Sequence, residues 1–217
     1  MTWKGESSRT SLAVLPMGAD GAEPGGRLRP ERDQRHEVRA VRRARPANAE
    51  VIRHKLAELR DNGALGLVIN RPTDINLKNL FERVDLTLER DDLAARPVFY
   101  GGPVQTERGF VLHEGLGDDG DHYSSTLKIS GGLEMTTSRD VLEALSNGAG
   151  PKRVFVTLGY AGWSAGQLED EISRNGWLSV NADPELIFAT PVEQRYDKAL
   201  SLLGVDRNFL MGEAGHA

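Results

Sequence analysis

The chain changes character at Asn62, and that break limits what it can fold into. Before it, residues 19–30 and 39–49 are rich in Gly, Ala, Arg and Pro and show no sustained hydrophobic period. Such a stretch has little to bury and cannot offset the entropy lost on ordering. Residues 1–48 are therefore expected to be a disordered basic segment, and residues 49–217 one folded domain. Within the transition, Val51, Ile52, Leu56 and Leu59 are spaced for a short amphipathic helix over 49–59.

After the break, strand-length apolar runs and helical patterns succeed one another. Residues 64–70 (ALGLVIN) read as a strand ended by Arg71-Pro72, since the residue before a proline favours extended backbone. Leu77, Leu80, Phe81 and Val84 predict a helix over 76–84. Residues 96–100 and 109–113 read as two strands joined through Gly101-Gly102-Pro103 into a hairpin. Residues 124–130 alternate as a half-buried strand, and Gly131-Gly132 turns them into 133–136. Thr137 or Ser138 is placed to cap a helix running to Ser146, with Asp140 completing a capping box. Residues 153–158 (RVFVTL) are the most apolar strand and are expected at the centre of the sheet. Ser164 and Gln167 predict a second capping box, for a helix ending at Asn175 and Gly176. Residues 177–180 form another strand. Thr190, Pro191 and Glu193 open a last helix that Gly204 closes. This irregular alternation, with hairpins in the middle, predicts an α+β fold with a mixed or antiparallel sheet.

Composition narrows the function classes. There is no cysteine in the 217 residues, which excludes disulfides, thiolate metal sites and a cysteine nucleophile. No apolar run approaches the ~18 residues of a spanning helix, and no signal peptide is evident at the start, so a cytoplasmic, non-membrane protein is expected. The net charge of −5 is uneven. Residues 1–60 hold 13 Lys and Arg against 8 Asp and Glu, and the rest holds 14 against 24. An acidic domain repels phosphate backbones, so nucleic-acid contact would have to use a local patch or the N-terminal segment, with its basic arm at residues 27–45.

Several groupings carry chemical potential. Thr136 to Asp140 lies at a helix start, where free N–H groups bind anions. His113, Ser138 and Asp140 supply the residue types of a hydrolytic triad, without a nucleophile elbow. Asp118, Asp119, Asp121 and His122 offer oxygen and nitrogen ligands, but their spacing is that of a solvated acidic turn rather than a calcium loop. Gly101 to Gly109 lacks a phosphate-loop pattern and precedes a strand, so it reads as a turn. Neither a metal nor a cofactor is expected.

From Asn62 onward the chain resembles the bacterial YqgE/AlgH family. The resemblance rests on 62–72 (NGALGLVINRP), 100–104 (YGGPV), 108–113 (RGFVLH), 136–142 (TTSRDVL), 158–163 (LGYAGW), 166–172 (GQLEDEI), 175–177 (NGW) and the closing 214–217 (AGHA). It covers about residues 62–217. It implies a compact α+β fold, with a mixed, barrel-like sheet flanked by helices, in a cytosolic bacterial protein. It implies no settled enzymatic activity, and only a regulatory label. The family's opening strand, of the form Phe-Leu-Ile-Ala-Met-Pro, is present as no more than an echo at residues 12–17. Its Val-Val-Tyr strand before the 62–72 segment is missing. The Arg, Ala, Gly and Pro bias of residues 1–60 is common when GC-rich DNA is read out of frame. Part of the segment is therefore either out of frame or a recombined substitute, in which case the sheet is expected to lack one or two strands, or else a divergent natural arm.

The leading expectation is thus a non-enzymatic binding or regulatory protein that meets a protein partner or small ligand. Its recognition face is expected to join Asn70, Arg71, Arg108, Thr137, Ser138, Arg139, Tyr160 and Trp163, polar and aromatic residues at loop ends. A nucleic-acid regulator using the basic arm is the second expectation. A hydrolase or phosphotransferase around Ser138, Arg139 and His113 is the third.

Overall fold

The computed structural model describes residues 12–16 (backbone only), 63–116, 123–129, 131–174 and 176–204. The expected helix over 49–59, the basic arm 27–45 and the acidic turn 117–122 lie outside the described residues. The elements are β1 (Leu12–Pro16), β2 (Ala64–Gly66), β3 (Pro72–Asn76), α1 (Leu77–Arg83), α2 (Asp91–Ala94), β4 (Pro97–Tyr100), β5 (Val104–Glu114), β6 (Thr126–Ile129) and β7 (Leu133–Thr136). They continue through α3 (Asp140–Ser146), β8 (Val154–Trp163), α4 (Gln167–Ser173), β9 (Trp177–Asn181), α5 (Pro184–Phe188) and α6 (Val192–Leu202). Contacts group the described residues into two units: those within 65–161 and 182–193, and residues 12–16 and 63–64 with those within 162–181 and 194–204.

The first unit is built on a mixed, open sheet in the order β3-β4-β8-β5-β7-β6, with β2 also pairing β8. The apolar run at 153–158 is central, as its composition predicts: β8 runs parallel to β4 and antiparallel to β5. That insertion corrects the expected hairpin. β4 and β5 flank β8 instead of pairing with each other. The connecting glycines serve a close crossing. A Cβ on Gly101 would lie 2.2 Å from the Gly159 carbonyl oxygen, and one on Gly102 2.2 Å from the Tyr160 carbonyl carbon. Only hydrogen fits between these backbones. The sheet is also open, where the resemblance implied a barrel.

One face of the sheet carries Val98, Val111, Val154 and Val156. These pack with Leu77, Leu80 and Phe81 of α1, Leu93 of α2, and Val141 and Leu145 of α3. The opposite face carries Phe99, Phe110, Leu112, Met135 and Phe155, all buried. Their alternation with the first set is the two-residue period of a strand. α1 starts on a reciprocal cap: Asn76 Oδ1 accepts from the Asn79 N–H at 2.9 Å, and Asn79 Oδ1 accepts from the Asn76 N–H at 3.4 Å. Such a cap contributes about 1 kcal/mol. β3 and α2 go beyond the strand-and-helix reading of the sequence. α5 does too, although Asp183 and Pro184 start it in the usual way, with Asp183 Oδ1 accepting from the Glu185 N–H at 2.9 Å.

The second unit contains β1 paired antiparallel with β9, from Leu12 opposite Asn181 to Pro16 opposite Trp177. Residues 12–16 of that echo thus form a strand. α4 buries Leu168, and β9 buries Leu178. The Ser164 N–H donates to Gln167 Oε1 at 3.0 Å, which is half of the expected box, but the helix begins after Gly166. Gly176 is not left-handed; its N–H instead closes the helix end by donating to the Glu171 carbonyl at 2.8 Å. Ala199 and Leu200 form the buried stripe of α6, and Gly204 ends it at φ 71°.

Candidate functional site

The strand registers bring several of the expected residues to one end of the seven-stranded sheet. Pro72 pairs with Phe99, Tyr100 with Leu158, Val104 with Tyr160, and Val111 and Thr126 both with Thr136. Arg71, Tyr100, Tyr160, Arg108 and Thr137 therefore all lie where β4, β8 and β7 end and β3, β5 and β6 begin.

Arg71 is exposed. Its guanidinium lies 4.8 Å from the centroid of the Tyr100 ring, and its carbonyl accepts from the Tyr100 N–H at 2.8 Å. Asn70, beside it, is exposed. Arg108 is exposed on an irregular stretch of β5, where pairing with β8 breaks between Val104 and Gly109. Gln105 in that stretch has φ 50°, a left-handed conformation outside glycine. Such a conformation costs about 1–3 kcal/mol and persists only where its surroundings enforce it. Gln105 Oε1 accepts from Arg108 at 3.3 Å, and Thr137 Oγ1 accepts from Arg108 at 3.1 Å. The Arg108 guanidinium also sits 5.6 Å from the Phe110 centroid, and Phe110 meets Tyr160 edge to face at 5.4 Å. Among the described residues, neither arginine has a carboxylate partner.

Thr137 and Ser138 do not cap α3, which corrects that expectation. Their hydroxyls turn sideways to the start of β6. Thr137 Oγ1 meets Ser125 Oγ at 2.9 Å, and Ser138 Oγ accepts from the Ser125 N–H at 3.0 Å. Ser138 donates to Asp140 Oδ1, which also accepts from the Val141 N–H; Asp140 Oδ2 accepts from the Ser124 N–H and hydroxyl. Burial pushes the Asp140 carboxyl up, but these bonds outweigh it and hold it at about 2. The carboxylate at this helix start is the protein's own Asp140. Arg139 turns away: it donates to the Val84 carbonyl at 2.9 Å and pairs with Glu143, tying α3 to the end of α1.

His113 and Ser138 do not form a nucleophile and base. His113 is fully buried, and its ring nitrogens meet the Glu114 carbonyl at 2.8 Å and Thr136 Oγ1 at 2.9 Å. Among the described residues no cluster of His, Asp and Glu could hold a metal ion, and no helix is long and apolar enough to cross a membrane.

Trp163 belongs to the second unit. There Glu171 Oε2 accepts from Trp163 Nε1 at 3.2 Å and Trp177 Nε1 at 2.7 Å, and Glu171 Oε1 accepts from Gln167 at 3.0 Å. Burial pushes the Glu171 carboxyl up, but the three donors prevail and it lies below the usual range. The expected face therefore resolves into Asn70, Arg71, Arg108, Thr137, Ser138 and Tyr160 at the sheet end. Arg139 is spent on helix packing and Trp163 on a separate carboxylate clamp. Tyr100, Phe110, Gln105 and Ser125 join the site beyond the sequence reading. Arg108 and Phe110 are two residues apart on one strand, a spacing that points both side chains the same way.

A family model described as AlgH-like, DUF179, matches residues 51–208. A UPF0301 protein of Burkholderia multivorans is 63% identical over 162 residues, 75% of this chain and 83% of that protein. One of a Polaromonas species is 66% identical over 163 residues, 75% and 84% of the two chains. The solution structure of the AlgH protein of Pseudomonas aeruginosa superposes with a TM-score of 0.56 at 47% identity, covering 72% of this chain and 80% of that one. A Corynebacterium diphtheriae protein shares the fold at 15% identity, with a TM-score of 0.52 over 70% and 75% of the two chains. On the motifs from Asn62 onward, the sheet they build and these matches, the chain belongs to the AlgH-like family of bacterial proteins.

Proposed function

We propose that this protein is a non-enzymatic, cytoplasmic binding protein with a regulatory role, and that it recognises an acidic segment of a partner protein through the sheet end bearing Arg71 and Arg108. The observation that carries this reading is the state of the two arginines. Each is exposed, each is steadied over an aromatic ring, and among the described residues neither is neutralised by a carboxylate. A guanidinium held in this way loses little freedom when it meets a carboxylate, to which it can donate two parallel hydrogen bonds. The hydrogen-bonded Thr137 and Ser125 hydroxyls leave one O–H to donate beside Arg108. The catalytic readings lack support, because His113 and Ser138 have other partners.

The test is an amide NMR titration of the full chain with a short glutamate-rich peptide. Shifts should concentrate on the strand ends around Tyr100, Arg108, Ser125 and Thr137, weaken with salt, and vanish in an Arg71→Ala/Arg108→Ala double variant. Scattered shifts, or shifts that survive in the double variant, would overturn the reading.

A further inference from the structure

The second unit holds a carboxylate whose charge is kept but not neutralised. Glu171 of α4 is half-buried, and three neutral groups donate to it. Trp163 Nε1 at 3.2 Å and Trp177 Nε1 at 2.7 Å both meet Oε2, and the Gln167 amide meets Oε1 at 3.0 Å. Burial pushes the carboxyl up, but the Trp177, Gln167 and Trp163 donors outweigh it and leave it below the usual range. Glu171 is therefore an anion at neutral pH. Among the described residues no cation pairs with it. Arg174, at the end of α4, turns to Asp170 instead, at 4.0 Å. Neutral donors preserve a charge without cancelling it. A charge partly withdrawn from water also gains more from a counter-ion than a fully hydrated one does.

The division of the donors says which counter-ion fits. An ionised carboxylate offers about four acceptor positions, shared equally by its two oxygens. The two indoles fill Oε2. Gln167 takes one position on Oε1, and one remains there. A guanidinium in its usual fork uses both oxygens at once, so it loses that advantage here. A primary ammonium is a compact point charge and needs only a single oxygen. The indoles add to the fit. Their rings meet edge to face, with centroids 5.8 Å apart and planes at 79°, and both side chains are half-buried. Tryptophan rings attract cations electrostatically, and the attraction strengthens as water is excluded.

We propose that Glu171, Trp163 and Trp177 form a recognition site for a primary alkylammonium group, seated on the open position of Glu171 Oε1. A lysine side chain of a partner and a free alkyl amine both present that group. The site is built from residues of the second unit alone and does not rest on the arginine face.

The experiment is a ¹H–¹⁵N NMR titration of the full chain near neutral pH, at constant ionic strength, following the indole Nε1–H signals of Trp163 and Trp177. The probes are Nα-acetyl-lysine methylamide, n-butylammonium and n-butylguanidinium. Both ammonium probes should shift the two indole signals saturably, and the guanidinium probe should bind more weakly than either. A stronger response to the lysine derivative than to n-butylammonium assigns the group to a polypeptide, and an equal response assigns it to a free amine. Glu171→Gln keeps an acceptor for the indoles but removes the charge, and should abolish the saturable response. Trp163→Phe keeps a ring and frees one position on Oε2, so n-butylguanidinium should gain on n-butylammonium there, read at Trp177. That arm does not depend on whether Glu171→Gln folds. Indole signals that ignore the amines in the native protein would overturn the proposal, leaving a clamp that only holds α4 to its neighbouring strands. Equal responses in the native protein and Glu171→Gln would overturn it too. So would native binding of guanidinium as tight as that of ammonium, or a selectivity unchanged in Trp163→Phe, since the filling of Oε2 would then not set the preference.

Discussion

The two halves of β5 obey different rules. From Phe110 to His113 the strand is buried and paired with β8, and from Val111 onward with β7 as well. From Gln105 to Arg108 it is exposed, out of register with β8, and holds a non-glycine residue at φ 50°. The first half cannot shift without moving three strands. The second is pushed outward, over the glycine at position 159 of β8. A Cβ there would meet the Val104 carbonyl oxygen at 3.1 Å and Thr106 Cα at 3.2 Å. The cost of the irregular half is carried by the regularity of the other half. Stability and recognition can therefore be separated within one strand.

The glycine seam should be the most sensitive place to break that arrangement. Gly102→Ala puts a methyl 2.2 Å from the backbone of Tyr160, at a φ of 153° that side chains rarely adopt. Backbone cannot yield as the tip of a side chain can. We expect a loss of about 4 kcal/mol or more, read as a collapse of the urea midpoint or failure to fold. A stability close to native would show that the crossing is looser than its geometry. Next comes the buried half itself. Phe110→Ala removes a ring that is 2% exposed and supports both Arg108 and Tyr160. It should cost about 3–5 kcal/mol and also weaken recognition by unseating Arg108.

How much of this was legible follows from what is local. The helix at 77–83 could be read because its cap and its apolar spacing sit within nine residues. The centrality of β8 could be read from an unbroken apolar run. The pairing of β4 with β8 could not. Two strands with a glycine turn between them look alike whether they pair or receive a third strand, and here the third arrives more than fifty residues later. The hydroxyls of Thr137 and Ser138 carry the sequence pattern of caps, yet tertiary partners at Ser125 and Arg108 claim the same hydrogen-bonding capacity. Arg71 and Arg108 were visible as polar residues at loop ends. Their ring platforms, Tyr100 and Phe110, became visible only with the strand geometry.

A smaller effect should come from acid. The folded Asp140 carboxyl lies at about 2, below its ordinary value near 3.8. A depressed carboxyl contributes stability that is present above the unfolded value and lost as pH falls through the folded one. Asp140 should therefore add a downward step in stability between about pH 4 and pH 2. Asp140→Asn should remove that step from a series of urea midpoints measured against pH. An unchanged acid limb in the variant would assign the step to other carboxylates. Because this group is only half-buried, solvent screening keeps the step modest.

The smallest effect on stability should be at the irregular half of β5. Arg108→Ala removes an exposed side chain whose hydrogen bonds go to Gln105 and Thr137, both accessible to water. Surface changes of this kind usually stay within about 0.5 kcal/mol, so the urea midpoint should hardly move. Binding of a glutamate-rich peptide should nevertheless fall, since the residue lost is the one presented outward by the strained Gln105. That pairing of outcomes is the sharpest test of the separation inside β5. A variant that destabilises the fold and binds normally would reverse the roles of the two halves. It would mean that the strain at Gln105 is relieved by Arg108, not used to display it.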